Sequence, residues 1–300
     1  MDCDQRPNFF AGPYIERRAE ERDDPQWIAA ARADPATLYL IGQGAAQLLR
    51  FDPEPHIAFL TNGAPLVAAL PAASLLLLGW FRGARCVLAD VPAGTPLELP
   101  PGARLEELRP LSSVLPAEEA GLLAYARALV IWRARHRHCG VCGAVTAPTH
   151  AGHCLRCTNP SCAQEFFPRI DPAIIVLVSD GERALLGRQA SWPARRYSTI
   201  AGFVEPGESL EDAVAREVAE ETGVTVSCVR YHSSQPWPFP SSVMIGFRAR
   251  AAGGSPVRLG GELEDARWFT REQLTSGEVL TPPSNAISWR LIESWLEGDG

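Results

Sequence analysis

Residues Gly202 to Val224 read GFVEPGESLEDAVAREVAEETGV, and this stretch decides the fold. Leu210, Val214, Glu217 and Glu221 fall at i, i+4, i+7 and i+11, one face of a helix expected from about Ser209 to Thr222 and ended by Gly223. On a merely solvated acidic helix the carboxylates would stand opposite the apolar stripe. Here they continue it. Two ionised carboxylates on a partly buried face repel one another and lose hydration unless a cation compensates. Oxygen donors of this kind suit Mg²⁺ or Mn²⁺. Glu220 sits one step around the helix and is i+4 from Arg216, an ion-pair spacing that would aim it at the same cluster. Upstream, the loop from Ala201-Gly202 to Glu208 enters the helix N-terminus, where backbone amides are free.

Outward from this helix, the C-terminal half alternates strands and helices. Ile174-Ile-Val-Leu-Val178 is a short apolar strand, and a second runs through Leu186 after the turn Ser179-Asp-Gly-Glu182. Further strands fit Val243–Arg250 and Ala266–Phe269. A last helix fits about Asn285 to Leu296, with Trp289, Ile292 and Leu296 on its apolar stripe. Mixed strands with flanking helices imply an α/β sandwich. Between the acidic helix and the Val243 strand lies Ser234-Gln-Pro-Trp-Pro-Phe-Pro-Ser-Ser242. Prolines at 236, 238 and 240 fix φ on alternate residues, giving a stiff extended loop that presents Trp237 and Phe239. Such a loop could be purely structural or a polyproline ligand. An aromatic edge held this stiffly can also stack on a flat base.

Five of the eight cysteines fall between Cys139 and Cys162, while Cys3, Cys86 and Cys228 stand alone. Clustering of this kind reads as a metal site rather than as disulfides. Cys139-Gly-Val-Cys142 followed by Gly143 is a knuckle that turns two thiolates toward one ion. Cys154, Cys157 and Cys162 then offer three sulfurs for the two remaining positions of tetrahedral zinc. His138, His150 and His153 are further donors nearby. A four-thiolate site leaves no open coordination position and is structural.

Before the cysteines, Thr37–Ile41 and Gln47–Phe51 read as a hairpin turning at Gly42-Gln-Gly44. Leu66 to Phe81 reads as a helix start and buried strand, interrupted by Pro71 and short of the ~20 residues that span a membrane. Pro116 to Arg135 reads as a helix with Leu122, Ala126, Leu129 and Val130 on one side. It ends in the basic run Arg133–His138, a solvated terminus or a phosphate or RNA contact. At 300 residues with 46% hydrophobic and 21% charged content, the chain has ample material for two or three globular domains. All of its basic residues are arginine. A net charge of −7 argues against a dedicated, sequence-independent nucleic-acid binder, though not against a local basic patch. The acidic N-terminus lacks the pattern of a secretory signal, so a soluble cytoplasmic protein is expected.

Gly202, Glu208, Arg216-Glu217-Val218, Glu220-Glu221 and Gly223-Val224 match G-x5-E-x7-R-E-U-x-E-E-x-G-U at every fixed position, with U a bulky aliphatic. This resembles the Nudix hydrolase signature. The proline–aromatic array, ending at Ser242, resembles the SQPWPFPxS motif of the NADH pyrophosphatase subfamily, which also carries a four-cysteine zinc ribbon ahead of its Nudix domain. The resemblance implies a Nudix α/β/α sandwich with a mixed sheet over residues 169–300. It implies a ribbon over 135–168 and a smaller α/β domain over 1–134. Because Cys162 precedes Phe166-Phe167-Pro168 as the family's last ribbon cysteine does, it implies one structural zinc on Cys139, Cys142, Cys157 and Cys162, with Cys154 surplus.

Carried over by position, Glu217, Glu220 and Glu221 would be the catalytic metal ligands, joined by the Ala201 carbonyl and by Glu262, for two or three Mg²⁺ or Mn²⁺ ions. Arg216 would orient a glutamate. Substrate contacts would come from Phe203, Gln235, Pro236, Trp237, Pro238, Phe239, Pro240, Ser241, Ser242 and Ser288. Phe167 would complete the site across a homodimer. The implied reaction is hydrolysis of the NAD(H) pyrophosphate to NMN(H) and AMP by a metal-activated water, with NAD-capped RNA as a further substrate. Alternatives are ADP-ribose or dinucleoside polyphosphate hydrolysis, or a non-catalytic nucleotide sensor.

Overall fold

The computed structural model describes residues 6–253 and 256–298, which leaves Cys3 outside the described residues. The chain forms two compact units. One comprises Met1–Phe9, Ile170–Trp237 and Ser242–Gly300; the other comprises Phe10–Arg169 with Pro238–Ser241.

The unit holding the acidic helix is built on a six-stranded mixed sheet. Its order is Val226–Trp237, Ser242–Ala251, Asp171–Ser179, Arg183–Arg188, Asp265–Thr270. Asp171–Ser179 runs parallel to Ser242–Ala251. Its other edge is shared: residues 173–176 pair with Ile200–Phe203, and 178–179 pair with the start of Arg183–Arg188. That fork leads the chain from the sheet centre into the loop before the acidic helix. The run Ile174–Val178 is apolar at every position because both of its faces are covered. Ile174, Val176 and Val178 meet Val214 and Val218 of the acidic helix. Ile175 and Leu177 meet Leu291, Ile292 and Trp295 of the C-terminal helix. The α/β/α sandwich follows directly, each buried aliphatic contributing about 1.5–3 kcal/mol.

The C-terminal helix spans Ile287–Leu296 and buries Ile287, Ser288, Leu291, Ile292 and Trp295. The stripe expected from sequence, on Trp289, Ile292 and Leu296, is therefore turned. Trp295 goes to the core because its Nε1 finds Ser179 Oγ there at 3.1 Å, whereas Trp289 donates to Glu293 and stays partly buried. The proline–aromatic array differs as well. Residues 234–237 are the end of an edge strand, in which Pro236 stands opposite Val243, and only Pro238–Ser241 form the turn. An edge strand tolerates proline because one side of its backbone has no ladder partner.

The other unit contains a seven-stranded sheet whose core strands are Leu75–Phe81, Ala84–Val91, Leu38–Gln43 and Ala46–Phe51. The first hairpin turns at Gly44-Ala45 rather than at 42–44. Gly42 lies within a strand, where a β-carbon would sit 3.2 Å from Val130 Cγ2 of the covering helix. That helix, Ala117–Arg135, is buried on most of its circumference rather than along one stripe. Even its polar residues are engaged: Glu119 accepts from Ile57 N at 2.6 Å and from Arg82 at 2.9 Å. Arg133 is also drawn inward, 3.5 Å from Asp90 and donating to Ala73 O at 2.6 Å. The exposed part of the basic run is Arg135, Arg137 and His138. A three-stranded antiparallel sheet, Thr146–Thr149, Cys154–Cys157 and Glu165–Phe166, forms the cysteine-rich segment. Among the described residues no helix is long and apolar enough to cross a membrane.

Candidate active site and zinc centre

The acidic helix is fixed at both ends by its own sequence. Ser209 caps it, its Oγ accepting from Asp212 N while Asp212 accepts from Ser209 N. Gly223 ends it at φ +68, a left-handed conformation that glycine adopts without strain. Beyond it, Arg258 N and Gly260 N donate to the carbonyls of Thr222 and Glu221. A β-carbon on Gly260 would lie 2.2 Å from Glu220 O, so only glycine lets this segment approach and bring Glu262 to the helix.

Arg216 is the hub of the site. Its guanidinium holds Glu208 through two bonds of 2.6 and 2.9 Å, Glu217 at 2.8 Å, Glu220 at 3.0 Å and the Phe203 carbonyl at 3.0 Å. The fork geometry of arginine is what allows one cation to fix three carboxylates and a strand end. This pairing, with a further bond from Glu205 N, draws the Glu208 carboxyl down to about 2, and the surrounding carboxylates raise the Arg216 pKa. Gly202 stands so close to Glu217 that a β-carbon there would lie 2.0 Å from the carboxylate.

Glu221 differs from its neighbours. It is 8% exposed, and burial first, then the charges of Glu217, Glu262 and Glu220, push its carboxyl up to about 7. A buried carboxyl facing three others is the surplus of negative charge that a divalent cation offsets. The oxygens of Glu217, Glu220, Glu221, Glu262 and Ala201 O could hold such a cation, and hard oxygens of this kind suit Mg²⁺ or Mn²⁺. Their oxygens do not converge as closely as the thiols of the other centre, since Glu217 and Glu220 are turned onto Arg216.

Glu221 also lines a pocket of about 290 Å³ with Ala201, Gln235, Trp237 and Ser288. Ile175, Met244 and Leu263 form much of its apolar wall. Ser288 Oγ lies 2.8 Å from both Ser198 Oγ and Thr199 Oγ1, which ties the start of the C-terminal helix to the strand that leads into the acidic helix.

In the cysteine-rich segment, the sulfurs of Cys139, Cys142, Cys157 and Cys162 all lie within 4.8 Å of one another. Cys139 and Cys162 are 3.8 Å apart, and Cys142 and Cys157 are 3.4 Å apart. Four zinc–thiolate bonds of about 2.3 Å in a tetrahedron place the sulfurs about 3.8 Å apart, so the donors fit zinc. Each knuckle is shaped by its backbone: Cys139 N donates to Ala144 O, and Cys162 N and Ala163 N both donate to Asn159 O. Cys154 is fully buried in its strand, outside this group of sulfurs.

Three family descriptions match the chain: a NUDIX domain over residues 169–293, an NADH pyrophosphatase zinc ribbon over 134–167, and an NADH pyrophosphatase-like rudimentary NUDIX domain over 26–132. The NAD-capped RNA hydrolase NUDT12 of Homo sapiens is 33% identical across 98% of this chain and 74% of its own length. The NAD-capped RNA hydrolase NudC of Mycobacterium bovis is 40% identical across 85% of this chain and 87% of its own. The chain belongs to the NADH pyrophosphatase family of Nudix hydrolases. A solved NUDIX hydrolase from Nitrosomonas europaea aligns with 54% of the chain and 90% of its own at 21% identity, with a TM-score of 0.45.

Within this Nudix hydrolase the sequence-derived substrate residues separate into groups. Trp237, Gln235 and Ser288 meet at the pocket. Gln235 is fully buried, and its amide is spent on the backbone: Nε2 donates to Asn285 O at 2.8 Å and Phe9 O at 3.1 Å, and Oε1 accepts from Ile287 N at 2.9 Å. Pro236 and Ser242 are partly buried in the paired strands beside it. Phe203 is 61% exposed at the end of its strand, and Phe167 is 63% exposed. Pro238, Phe239, Pro240 and Ser241 belong to the other unit. There Arg127 donates to Pro238 O, and the Phe239 ring lies 4.6 Å from the Arg109 guanidinium, 5.0 Å from that of Arg127 and edge-on to Phe10. Phe239 is therefore a packing residue in this structure, not a free stacking face. Sequence reasoning missed the pocket wall and the Arg258–Gly260 cap; the paired glycines at 260–261 were the visible hint of the latter.

Arg216→Ala would leave Glu208, Glu217 and Glu220 with no common cation. We expect kcat to fall roughly 100-fold with KM little changed, because carboxylate placement rather than substrate contact is lost. Steady-state kinetics check this, and an unchanged kcat would remove Arg216 from the positioning role.

Proposed function

We propose that this chain hydrolyses the diphosphate of NAD(H) to NMN(H) and AMP and removes NAD caps from RNA. The observation that carries this reading is that Glu221 and Trp237 line one pocket. A flat aromatic ring thus faces the same space as the acidic helix. At about 290 Å³ the pocket is small for a whole dinucleotide and suits one nucleoside half, with the diphosphate reaching toward Glu221. The relatives named NAD-capped RNA hydrolases support the substrate class.

Glu217, Glu220, Glu221, Glu262 and the Ala201 carbonyl would hold Mg²⁺ or Mn²⁺, two or three ions in the active enzyme. Such ions, when bound, supply Lewis-acid polarisation of the diphosphate and acidify water. The chain's own residues do the rest. Trp237 stacks on the base, Arg216 orients Glu217 and Glu220, and Glu221 takes the proton from the attacking water. Glu221 is preferred as the base because it faces the pocket, whereas Glu220 has a side chain 60% exposed and tied to Arg216.

We read the chain as an N-terminal domain over 1–134, a zinc ribbon over 135–168 and a Nudix domain over 169–300, divisions close to the matched family segments. The exposure of Phe167 supports a homodimer in which it reaches a second subunit. A zinc-bound set of four cysteines beside the thiols of Cys86, Cys154 and Cys228 favours the reducing cytoplasm.

Product analysis with NADH and Mn²⁺ tests the activity: NMNH and AMP are expected. Faster turnover of ADP-ribose, or none of either, would overturn the assignment. Trp237→Ala is expected to raise KM for NADH roughly 5- to 150-fold, the equivalent of about 1–3 kcal/mol of base stacking.

A further inference from the structure

One large groove of the Nudix unit holds none of the signature glutamates. It has a volume of about 1080 Å³ and lies between the end of the C-terminal helix, the edge strand Val226–Trp237 and its neighbour Ser242–Ala251. Arg6, Arg230, Arg248, Arg250 and Arg290 line it, against two acids, Glu293 and Glu297. Glu293 is already paired with Arg6 at 2.5 Å. In a chain of net charge −7, this local excess of positive charge runs against the overall balance.

Four details indicate what the groove takes. Arg230 stands directly opposite Arg248 in the strand ladder, a like-charge pair that costs stability unless an anion lies beside it. Arg248 is held by Ser294 Oγ and Arg290 by Asn8 Oδ1 at 3.1 Å, so two of the guanidinium groups are positioned rather than loose. Arg230 and Arg250 are exposed and make no ion pair among the described residues. Tyr231, next to Arg230 at the rim of the groove, is 62% exposed, its ring edge-on to Phe247. Cations that track a backbone beside an exposed aromatic are the arrangement that binds single-stranded nucleic acid.

The groove and the pocket share two elements. The edge strand carries Trp237 in the pocket and Arg230 in the groove, seven residues or roughly 20 Å away at about 3.3 Å per residue. The C-terminal helix likewise carries Ser288 in the pocket and Ser294 in the groove. A chain leaving the pocket along this edge meets the arginines after a few nucleotides.

We propose that this arginine groove binds the phosphate backbone of a single-stranded RNA whose capped end occupies the Trp237 pocket. The proposal rests on the reading of the chain as an NAD-cap hydrolase. Free NADH has no body to place there, so the groove acts on the RNA substrate alone.

The test is the double variant Arg230→Ala/Arg250→Ala, neither residue being part of the catalytic or pocket machinery. Its kcat/KM for NADH is expected to equal that of the wild type, which also reports a sound fold. Its kcat/KM for an NAD-capped 15-nucleotide RNA is expected to fall about tenfold. The salt dependence of RNA binding is expected to flatten by about 1.4 in log–log slope, about 0.7 per lost phosphate contact. Equal cleavage of capped RNA by both proteins at matched salt would overturn the proposal. Binding of a fluorescent uncapped RNA to the Glu221→Gln protein, with and without the two arginine substitutions, separates the groove from the chemistry. Loss of binding in the arginine variant would support the groove even if NADH were not hydrolysed. Unchanged RNA binding, or competition by millimolar inorganic phosphate as strong as by RNA phosphates, would overturn it.

Discussion

Glu221→Gln is expected to lower kcat for NADH by at least about 100-fold while leaving the fold intact. The substitution is isosteric and removes one charge at the meeting of the acidic helix and the Trp237 pocket. It also predicts a gain that a merely structural acid would not give. In the metal-free protein the Glu221 carboxyl is raised from 4.5 to about 7 by burial and by Glu217, Glu262 and Glu220. A raised carboxyl means the folded state holds its proton more tightly than the unfolded state does. The stability this contributes is full below about pH 4.5 and is lost as pH rises through about 7. Above pH 7 the ionised, buried Glu221 thus costs about 3 kcal/mol, which glutamine does not incur. Thermal unfolding at pH 8 in chelator should therefore show the variant as the more stable protein, with the difference vanishing below pH 5. Divalent metal should narrow the gap at pH 8 by stabilising the wild type. A variant that unfolds at the same temperature as the wild type at both pH values would mean that Glu221 is not the crowded group described above.

Loss of zinc is expected to have the other large effect. The three-stranded ribbon sheet is short, and apparent zinc affinity at such centres amounts to about 10–16 kcal/mol of folding free energy. Cys157→Ser is expected to reduce bound zinc from one ion per chain to a small fraction and to expose residues 135–168 to proteolysis. Cys154→Ala is expected to retain the full zinc content, because its thiol lies outside the group of four. Its cost is that of a small buried cavity, about 1 kcal/mol. Metal analysis of the two purified variants decides the matter: zinc lost from Cys154→Ala would move the ligand set.

These two predictions also mark the boundary between local and long-range information. The acidic helix, from about Ser209 to its Gly223 stop, was legible because it depends on residues within a few positions of one another. The signature itself occupies 23 consecutive residues, and α-helical geometry alone brings Arg216 within reach of Glu220 at i+4. That a cysteine cluster binds zinc was equally legible from composition and spacing. Which of Cys154, Cys157 and Cys162 serve was not decided by spacing; the family register pointed to the last two, and the sulfur positions agree with it.

Other features required segments far apart in the chain to meet. The pocket wall joins Ile175, Ala201, Met244 and Ser288, and no periodicity records that meeting. The phase of the C-terminal helix turned on whether Trp289 or Trp295 would find a buried acceptor, and Ser179, more than a hundred residues earlier, supplies it. Gln235 reads as one member of a substrate array, yet its buried amide must be satisfied, and the backbone of Ile287 and Asn285 satisfies it. Phe239 reads as a stacking face until Arg109, Arg127 and Phe10 close around it. The sequence by itself thus determined the metal-binding chemistry and the helix that carries it, since both are set by local spacing. Only the tertiary structure decided which aromatic faces the pocket and which becomes packing, because burial and hydrogen-bond satisfaction are properties of the whole assembled unit.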